Sequence, residues 1–509
     1  MPRELRARQI AWVTLLLALF AGLLCSYRVN EAIHEDSVLW YGFTQKFWAA
    51  LARGQLERTY AVPHPGVTMM WLVGIVMKLA GSLDGAINPL GVWAVKALGV
   101  LVGTCSAALT FPLAIACLGR PQWRAALVLS ALLATEPLLV QQARMGEVDM
   151  GALGLTWLSL WLAMLAYERN SWRWALGAGV LAGAGAITKL TFAAMPTVLM
   201  MLLIGSSALT RFRDRRGPRV AVVAGVTAAA TAFALWPALW THPIATLLRM
   251  FGESRQQGQR GNYHMVDGDW VLDPGVHYYL SFVVEVINVE TMILALGGAA
   301  ALWYLPALRK HYAWLIVSIL PYLLILAMIP KKHSRYWVPV APILCLLASA
   351  SIEWLWPRVS KWAQGARLAR FVPALLVSLM FVGRYARELS LLPHAEPCAR
   401  WPGVVCKRPW NSHFTRELGL AMRKDWQAGG HRGRPRVYLS DAEQRLMSPW
   451  LAVKATRSMK KADYIVIWDS VFDEHGLNKA AARRLRRGSE EVYVASYAGS
   501  VVARLFRGR

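Results

Sequence analysis

The chain has 509 residues, of which 56% are hydrophobic and only 17% are charged, against about 25% charged in an ordinary soluble domain. This composition excludes a disordered chain, a coiled coil and an ordinary cytosolic enzyme, and the recurring apolar runs of about 20 residues indicate a polytopic membrane protein. The net charge is +26, from 56 Lys and Arg against 30 Asp and Glu. In a membrane protein this excess marks cytoplasmic loops and contacts with anionic lipid, so we expect membrane lipids and no nucleic acid as partners.

Apolar runs predict eleven membrane spans. The first, at about 10–25, follows a short basic N-terminus and lacks a small-residue cleavage site, which predicts an uncleaved span with the N-terminus inside. The others lie at about 91–117, 125–141, 150–167, 174–188, 191–207, 220–240, 290–307, 312–329, 336–355 and 371–385. Residues 67–83 form a shorter run that carries Lys78, and we predict an interfacial or re-entrant helix there.

The basic loops decide the predicted orientation. If 67–83 does not span, the basic loops at 119–124, 168–173, 211–219, 308–311 and 357–370 all face the cytoplasm, as the positive-inside rule requires. The loops at 27–90, 142–149, 241–289 and 330–335, and everything after about 390, then share the outer face. We expect the functional polar residues to lie on that face.

Composition predicts two domains. Residues 1–389 form an all-α transmembrane domain, with 27–90 as a first outer loop that contains interfacial helices. Residues 390–509 are polar and form a small α/β domain outside the membrane, with a strand at Tyr464–Trp468, a hairpin of 492–495 and 501–506, and a basic helix at 478–487. The Ala/Gly-rich stretch 175–187 is typical of close helix packing through small residues.

Two outer segments carry polar residues near the first span. Glu35 and Asp36 are either carboxylate bases at the boundary between a lipid headgroup and a water-borne acceptor, or solvated loop acids. His64 lies between two prolines and is followed by Pro65-Gly66, where the backbone turns tightly. It either binds phosphate or a metal, or merely precedes the interfacial helix.

Three further polar sites lie on the predicted outer face. Arg144, Glu147 and Asp149 fall between two apolar segments, where charges are costly unless they are paired or used, so they either serve function or form an Arg144 pair that holds the helix ends. Lys189 lies between two spans and either snorkels to the interface or binds an anionic headgroup. The cluster 331–335, which includes Arg335, is basic although it is predicted to lie outside. Either it binds phosphate, or the span count is off by one and the cluster faces the cytoplasm.

The remaining signals narrow the class of protein. Loop 241–289 is long enough to be a lid or substrate loop, or is an ordinary solvated loop. The sequence contains no phosphate-binding P-loop, no dinucleotide-binding glycine motif and no HExxH metal motif. Charges inside the spans are rare, mainly Lys96, Glu136 and Glu353, whereas an ion-coupled transporter more often buries charge at the bilayer midplane.

Six motifs occur in order on the predicted outer face. They are HEDSVLWYGFTQKFWAAL at 34–51, VPHPGVTMMWL at 62–72, ARMGEVDM at 143–150, AGAGAITKLTF at 182–192, DPGVHYYLSFVVE at 273–285 and KHSRYWVPVAPILCLLAS at 332–349. Together they resemble the lipid-carrier-dependent glycosyltransferases of the C-type fold, a group that holds the protein O-mannosyltransferases of glycosyltransferase family 39 and the lipid A aminoarabinose transferases.

The resemblance implies an inverting transfer of sugar from a polyprenyl-phosphate donor to a hydroxyl of a protein, glycan or lipid. The family's catalytic acid of the first loop falls on Asp36 or Glu35, and its second acid, which in some members shares a divalent metal with the first, falls on Asp149. Lys189 matches the family's Thr-Lys. The Arg-Tyr of the family matches Arg335 and Tyr336.

The bacterial branch of this group implies a place in the inner membrane with a periplasmic active site. His64 and Arg144 join Lys189, Arg335 and Tyr336 as expected contacts of the donor phosphate. Two departures from the family are present: Glu285 and Val286 follow a motif after which the family often has an arginine, and the tail lacks the family's usual Tyr-Asn-Pro-Leu-like stretch. The rival hypothesis is a flippase-like transporter of lipid or polysaccharide, which binds such a lipid without transfer chemistry.

Overall fold

The computed structural model describes residues 6–27, 35–62, 65–81, 89–210, 216–259, 289–330 and 334–362, with a few single positions between these ranges. It also describes the short segments 264–266 and 269–271 and, near the C-terminus, 424–429, 436–438, 454–456, 464–468, 490–497 and 500–507. The side chains of 35–38 and 207–210 are outside this description although their backbone is helical.

Helices make up most of the described chain. They are α1 (Ala7–Ser26), α2 (Glu35–Ala52), α3 (Val67–Leu79), α4 (Pro89–Leu118), α5 (Trp123–Thr135), α6 (Pro137–Met145), α7 (Val148–Arg169), α8 (Trp172–Thr188), α9 (Leu190–Thr210), α10 (Arg216–Leu235), α11 (Ala238–Thr241), α12 (Pro243–Gln259), α13 (Val289–Ala301), α14 (Pro306–Met328) and α15 (Ala341–Trp362). Short 3-10 turns lie at Leu56–Thr59, Arg120–Gln122, Leu302–Tyr304 and Ser334–Trp337.

Several of these helices are long and apolar enough to cross a membrane. Within the described residues, five meet that test, namely α1, α4, α7, α10 and α14, and the bent pair of α5 and α6 adds a sixth. Helices also cover the other predicted spans as far as 336–355, while 371–385 lies outside the described residues. The prediction of an all-α, multi-pass membrane protein is confirmed.

Two predicted segments, 125–141 and 67–83, do not form single membrane-spanning helices. The span predicted at 125–141 is wrong as a single helix, because α5 and α6 meet at a bend of 52° at Glu136 and Pro137. Proline is well tolerated as the first residue of α6, where its missing N–H would have no helical partner. The segment predicted as interfacial at 67–83 forms α3, whose 13 residues are fewer than the roughly 20 that a span requires.

Helix α7 lies at the centre of the bundle, and most of its length is buried. Beside it, α8 packs closely on α10 through glycines. A Cβ atom at Gly179 would lie 2.5 Å from the Ala224 carbonyl oxygen, and one at Gly183 would lie 2.4 Å from that of Ala228. The prediction that the Ala/Gly-rich stretch packs closely against another helix is therefore confirmed.

The outer surfaces of the long helices carry large apolar side chains. On α1 the exposed residues are Trp12, Leu15, Leu16, Leu19 and Leu23. Such a stripe would be unfavourable in water and is expected where a helix contacts lipid acyl chains.

The segment predicted as the outer loop 241–289 is not a simple loop. It begins at the end of α11, holds α12 and continues with two antiparallel strands, β1 (His264–Val266) and β2 (Asp269–Val271). Helix α12 is tied to the first outer loop, because the Tyr60 hydroxyl donates to Glu253 Oε2 over 2.7 Å and Arg249 pairs with the same carboxylate at 2.8 Å.

The C-terminal region contains a five-stranded mixed sheet. Its strands are β3 (Arg436–Tyr438), β4 (Lys454–Thr456), β5 (Tyr464–Trp468), β6 (Glu490–Tyr497) and β7 (Ser500–Arg507), in the order β4-β3-β5-β7-β6. Strand β3 is parallel to β4 and β5, whereas β7 is antiparallel to β5 and β6. The predicted strand 464–468 and the predicted hairpin are both found. The predicted helix 478–487 is outside the described residues, and the domain boundary at 389–390 stays a prediction.

Candidate active site

Lys189 and Asp149 form the centre of the candidate site. Lys189 Nζ donates a hydrogen bond to Asp149 Oδ1, and the two side chains are only 4% and 2% exposed. Lys189 is thus not a lysine that snorkels to the interface, and that interpretation is wrong. It links the junction between α8 and α9 to the first turn of α7.

Arg335 and Glu147 complete a cluster of four charges. Arg335 Nε lies 4.0 Å from Asp149 Oδ2, and Arg335 Nη1 lies 3.9 Å from Glu147 Oε2. The Arg335 side chain is 24% exposed while that of Glu147 is 3% exposed, so the guanidinium is the accessible member of the cluster. An anion that approaches from the open side meets Arg335 before it meets Lys189.

Two aromatic rings lie close to the Lys189 ammonium. Its Nζ lies 4.0 Å from the centroid of the Phe192 ring and 5.5 Å from that of Tyr336, both within range of a cation–π attraction. The Tyr336 carbonyl oxygen accepts a hydrogen bond of 2.8 Å from the Tyr322 hydroxyl of α14. The Arg-Tyr pair predicted from the sequence is therefore held beside Lys189 by a neighbouring helix.

The local sequence explains why Glu147 and Asp149 both lie at the start of α7. Gly146 ends α6 with φ of 67°, a left-handed conformation that glycine adopts without strain, and its Cα packs closely on the backbone of Lys96. The chain therefore turns sharply, with Glu147 as the residue that precedes α7 and Asp149 in its first turn. An acid in this position is favoured by the partial positive charge of the helix N-terminus.

The first outer loop docks beside Lys189. The Gly66 N–H donates to the Thr188 carbonyl oxygen over 3.1 Å, and the Thr68 hydroxyl donates to that of Ala184 over 2.7 Å. Gly66 has φ of 60°, and a Cβ atom there would lie 2.0 Å from the ring of Trp40 in α2. Two of the sequence motifs, 34–51 and 62–72, thus meet a third at the residue before Lys189.

The side chains of three predicted site residues lie outside the described part of the chain. Glu35 and Asp36 are the first residues of α2, one turn before Trp40, but their side chains lie outside the described part of the chain. His64 is also outside it, two residues before Gly66. The packing of the Trp40 ring on Gly66 and the hydrogen bond from the Gly66 N–H to Thr188 bring both segments towards Lys189. The catalytic role of Asp36 or Glu35 and the role of His64 stay predictions.

Arg144 is placed apart from the phosphate-facing side of the cluster. Its guanidinium is buried and donates to the Leu24 carbonyl oxygen through Nε at 3.2 Å and Nη2 at 2.5 Å. This contact joins α6 to the end of α1. It favours a structural role for Arg144 over the predicted contact with the donor phosphate.

The described donor set does not favour a divalent metal at Asp149. Among the residues that the structure describes, no three His, Cys, Asp or Glu side chains come together. Asp149 Oδ1 already accepts from Lys189, and Arg335 faces the other oxygen, so a metal ion there would meet two cations. The predicted metal shared by Asp36 and Asp149 stays untested, because the Asp36 side chain is outside the described residues.

Part of the chain matches a known protein family in sequence. Residues 64–237 match the family model of the dolichyl-phosphate-mannose-protein mannosyltransferases, a segment that includes Gly66, Asp149 and Lys189. No curated protein matches the chain in sequence.

The solved structures show the fold. The chain is similar to ArnT from Cupriavidus metallidurans bound to undecaprenyl phosphate, with 14% identity, coverage of 98% of both chains and a TM-score of 0.53. It is similar to the archaeal oligosaccharyltransferase AglB from Archaeoglobus fulgidus in complex with an inhibitory peptide and a dolichol-phosphate, with 12% identity, coverage of 98% of this chain and 74% of that one, and a TM-score of 0.51. The apo oligosaccharyltransferase from the same organism gives a TM-score of 0.55 at 10% identity, with coverage of 91% and 70%.

These findings confirm the resemblance inferred from the sequence. The fold is that of the C-type membrane glycosyltransferases. The chain thus shares the fold of these membrane enzymes and, over residues 64–237, matches the model of the dolichyl-phosphate-mannose-protein mannosyltransferases.

Two members of the site were not assigned a place in it from the sequence. Glu147 was recognised as a polar residue between two spans, but its closeness to Arg335 depends on a contact between segments far apart in the chain. Phe192 belongs to an apolar run, and nothing in its neighbours indicates that its ring lies under an ammonium.

Proposed function

We propose that the chain transfers a sugar, with inversion, from a polyprenyl-phosphate donor to a hydroxyl of a protein, glycan or lipid. The observation that carries this proposal is the cluster of Asp149, Lys189 and Arg335, in which an accessible guanidinium lies in front of a buried ion pair. Arginine binds phosphate oxygens well because its planar N–H groups match their geometry. The position of Arg335 supports a donor phosphate on its exposed side.

The reaction needs a base and a stabilised leaving group. A carboxylate of the first outer loop, Asp36 or Glu35, takes the proton of the acceptor hydroxyl, which is otherwise a poor nucleophile. The hydroxyl oxygen then bonds to the anomeric carbon from the side opposite the phosphate, and the bond between that carbon and the phosphate oxygen breaks. The lipid phosphate leaves with additional negative charge.

Fixed cations stabilise that charge as it develops. Arg335 is the expected first contact of the phosphate, and Lys189 and Tyr336 lie behind it. Lys189 also holds Asp149 in place, so its contribution is positioning as well as electrostatic. The documented ligands of the structural relatives, undecaprenyl phosphate in ArnT and a dolichol-phosphate in AglB, are compatible with a lipid donor here.

We place the site on the periplasmic side of a bacterial inner membrane. The support is the positive-inside rule, since the basic loops face the cytoplasm only in this orientation. In a chain whose six native cysteines are replaced by serine, a single cysteine introduced at Ser171 or at Gln55, on opposite predicted faces, tests it with an impermeant maleimide on intact spheroplasts. Labelling at 55 and not at 171 is expected, and the reverse pattern contradicts the orientation.

Donor turnover tests the function itself. The purified full chain in lipid nanodiscs is incubated with polyprenyl-phosphate mannose and, separately, with polyprenyl-phosphate aminoarabinose, and the polyprenyl phosphate released in the presence of a cell-envelope extract is measured by mass spectrometry. The proposal expects release with one donor and its loss in Asp36→Asn. The flippase-like alternative expects binding of the lipid without cleavage and tolerance of Asp36→Asn.

A further inference from the structure

Glu147 is a buried acid that the proposed reaction does not use. Its Oε2 lies 3.9 Å from Arg335 Nη1, and Asp149 Oδ2 lies 4.0 Å from Arg335 Nε. Both distances are longer than a direct hydrogen bond of about 3 Å but short enough for strong attraction between charges. Arg335 therefore lies between two carboxylates at their exposed side.

The described charges of this cluster are balanced. Its described members are two cations, Lys189 and Arg335, and two carboxylates, Glu147 and Asp149. Since three of the four side chains are nearly fully buried, the water that would screen them is largely excluded and each charge acts strongly on the others. A lipid phosphate that reaches Arg335 meets a guanidinium whose charge is already compensated.

Compensation matters because the product is more highly charged than the donor. A phosphodiester donor carries one negative charge, whereas the released polyprenyl phosphate monoester carries between one and two at neutral pH. An uncompensated pair of cations would therefore bind the product more tightly than the donor and slow its release.

We propose that Glu147 is a positioning residue that holds Arg335 and compensates its charge, so that the lipid phosphate product is released. This inference rests on the proposed function of the site. Glu147 does not touch the reacting atoms and acts through Arg335. The proposal predicts that removal of its charge strengthens anion binding, which loss of a merely structural contact would not do.

Glu147→Gln tests this with undecaprenyl phosphate as the probe. The full chain in nanodiscs is titrated with the lipid, and its affinity is measured by native mass spectrometry at low and high salt. The variant is expected to bind about tenfold more tightly than the wild type, with the gain largest at low salt. In donor turnover it is expected to lower both KM and kcat, because product release becomes slower.

Two controls separate this effect from the general cost of removing a buried acid. Glu136 is a fully buried carboxylate at the bend between α5 and α6 and accepts from the Thr291 hydroxyl at 3.2 Å, so Glu136→Gln should leave the lipid affinity unchanged. In the double variant Glu147→Gln with Arg335→Gln, the gain in affinity should disappear, because the residue through which Glu147 acts is gone.

The outcomes distinguish this inference from the proposed function. If the wild type binds undecaprenyl phosphate but Glu147→Gln binds it equally or more weakly, the inference is overturned and the proposed function stands. A gain that persists in the Arg335→Gln background also overturns it. If the wild type does not bind the lipid at all, both fail. Should Glu147→Gln not fold, the wild-type affinity decides, since a compensated cluster predicts a shallow salt dependence and a steep one contradicts it.

Discussion

Lys189 and Asp149 form an ion pair that is almost fully buried and joins the start of α7 to the junction between α8 and α9. The Lys189 ammonium also lies over the Phe192 ring. Loss of one partner leaves the other as an uncompensated charge in a protein interior, which costs about 3–5 kcal/mol, whereas replacement of both by apolar residues is often neutral. The pair is therefore both a structural link and the support of Asp149.

Lys189→Met is expected to lower the free energy of unfolding by about 3–5 kcal/mol and to abolish transfer. The double variant Lys189→Met with Asp149→Leu should regain most of the stability and none of the activity. Thermal unfolding in detergent and donor turnover measure the two effects. A single variant as stable as the wild type would show that the pair is not buried as described.

Gly66→Ala should disable the enzyme by displacing the first outer loop. The added Cβ would lie 2.0 Å from the Trp40 ring, and the alanine would have to adopt φ of 60°. Gly54→Ala is the matched control, because Gly54 has φ of 67° with no atom within 4 Å of a Cβ. Both variants bear a left-handed strain of about 1–2 kcal/mol, but only Gly66→Ala is expected to lose transfer. Equal activities would mean that the Trp40 contact does not position the loop.

Arg335→Gln should change the donor KM, whereas Arg144→Gln should change the stability of the fold. Arg335 is the accessible cation of the cluster, so its loss is expected to raise the donor KM about tenfold or more, as for a hydrogen bond to a charged group. Arg144 donates to the Leu24 carbonyl oxygen, so its loss should lower the unfolding temperature and leave the donor KM of the folded fraction nearly unchanged. The reverse pattern would restore Arg144 as a phosphate contact and exclude Arg335.

The link between Tyr60 and Glu253 should make the attachment of α12 depend on pH. Partial burial tends to raise the pKa of Glu253, but the hydrogen bonds from Arg249 and Tyr60 outweigh it, and the pKa is lowered from its ordinary value. A carboxyl with a lowered pKa stabilises the fold above its ordinary range and loses that contribution as the pH falls through the lowered pKa.

Tyr60→Phe removes the hydrogen bond of 2.7 Å and should cost about 1 kcal/mol at neutral pH. Hydrogen exchange of 56–59 and 243–259 should quicken in this variant, and the difference from the wild type should shrink in acid. Tyr304→Phe, at an exposed tyrosine, is the control. Exchange in α12 that is equally fast in the wild type and in Tyr60→Phe would contradict the link.

The sequence predicts the helices of this fold well because long apolar runs have few alternatives in a bilayer. It does not reveal the bend at Glu136 and Pro137, since one acid and one proline interrupt the run without changing its mean hydropathy. The amphipathic helix α12 was also missed, because its polar residues made the segment resemble a loop.

The site was predictable by residue type but not by pairing. Lys189 and Asp149 were both singled out, yet 40 residues separate them, and only the fold shows that each is the other's partner. The same holds for Glu147, because its partner Arg335 is distant in the sequence and is brought close only by the fold. Charged residues near spans can be found from the sequence, whereas their compensation depends on tertiary contacts.

The cluster around Asp149, Lys189 and Arg335, with Asp36 as the expected base, is proposed to support transfer of a lipid-linked sugar. It is tested most directly by mass spectrometry of glycans, glycoproteins and lipid A from cells that carry the wild-type chain or Asp36→Asn at equal protein levels. One of these three is expected to lose a sugar in the variant. Unchanged glycans, glycoproteins and lipid A would contradict it.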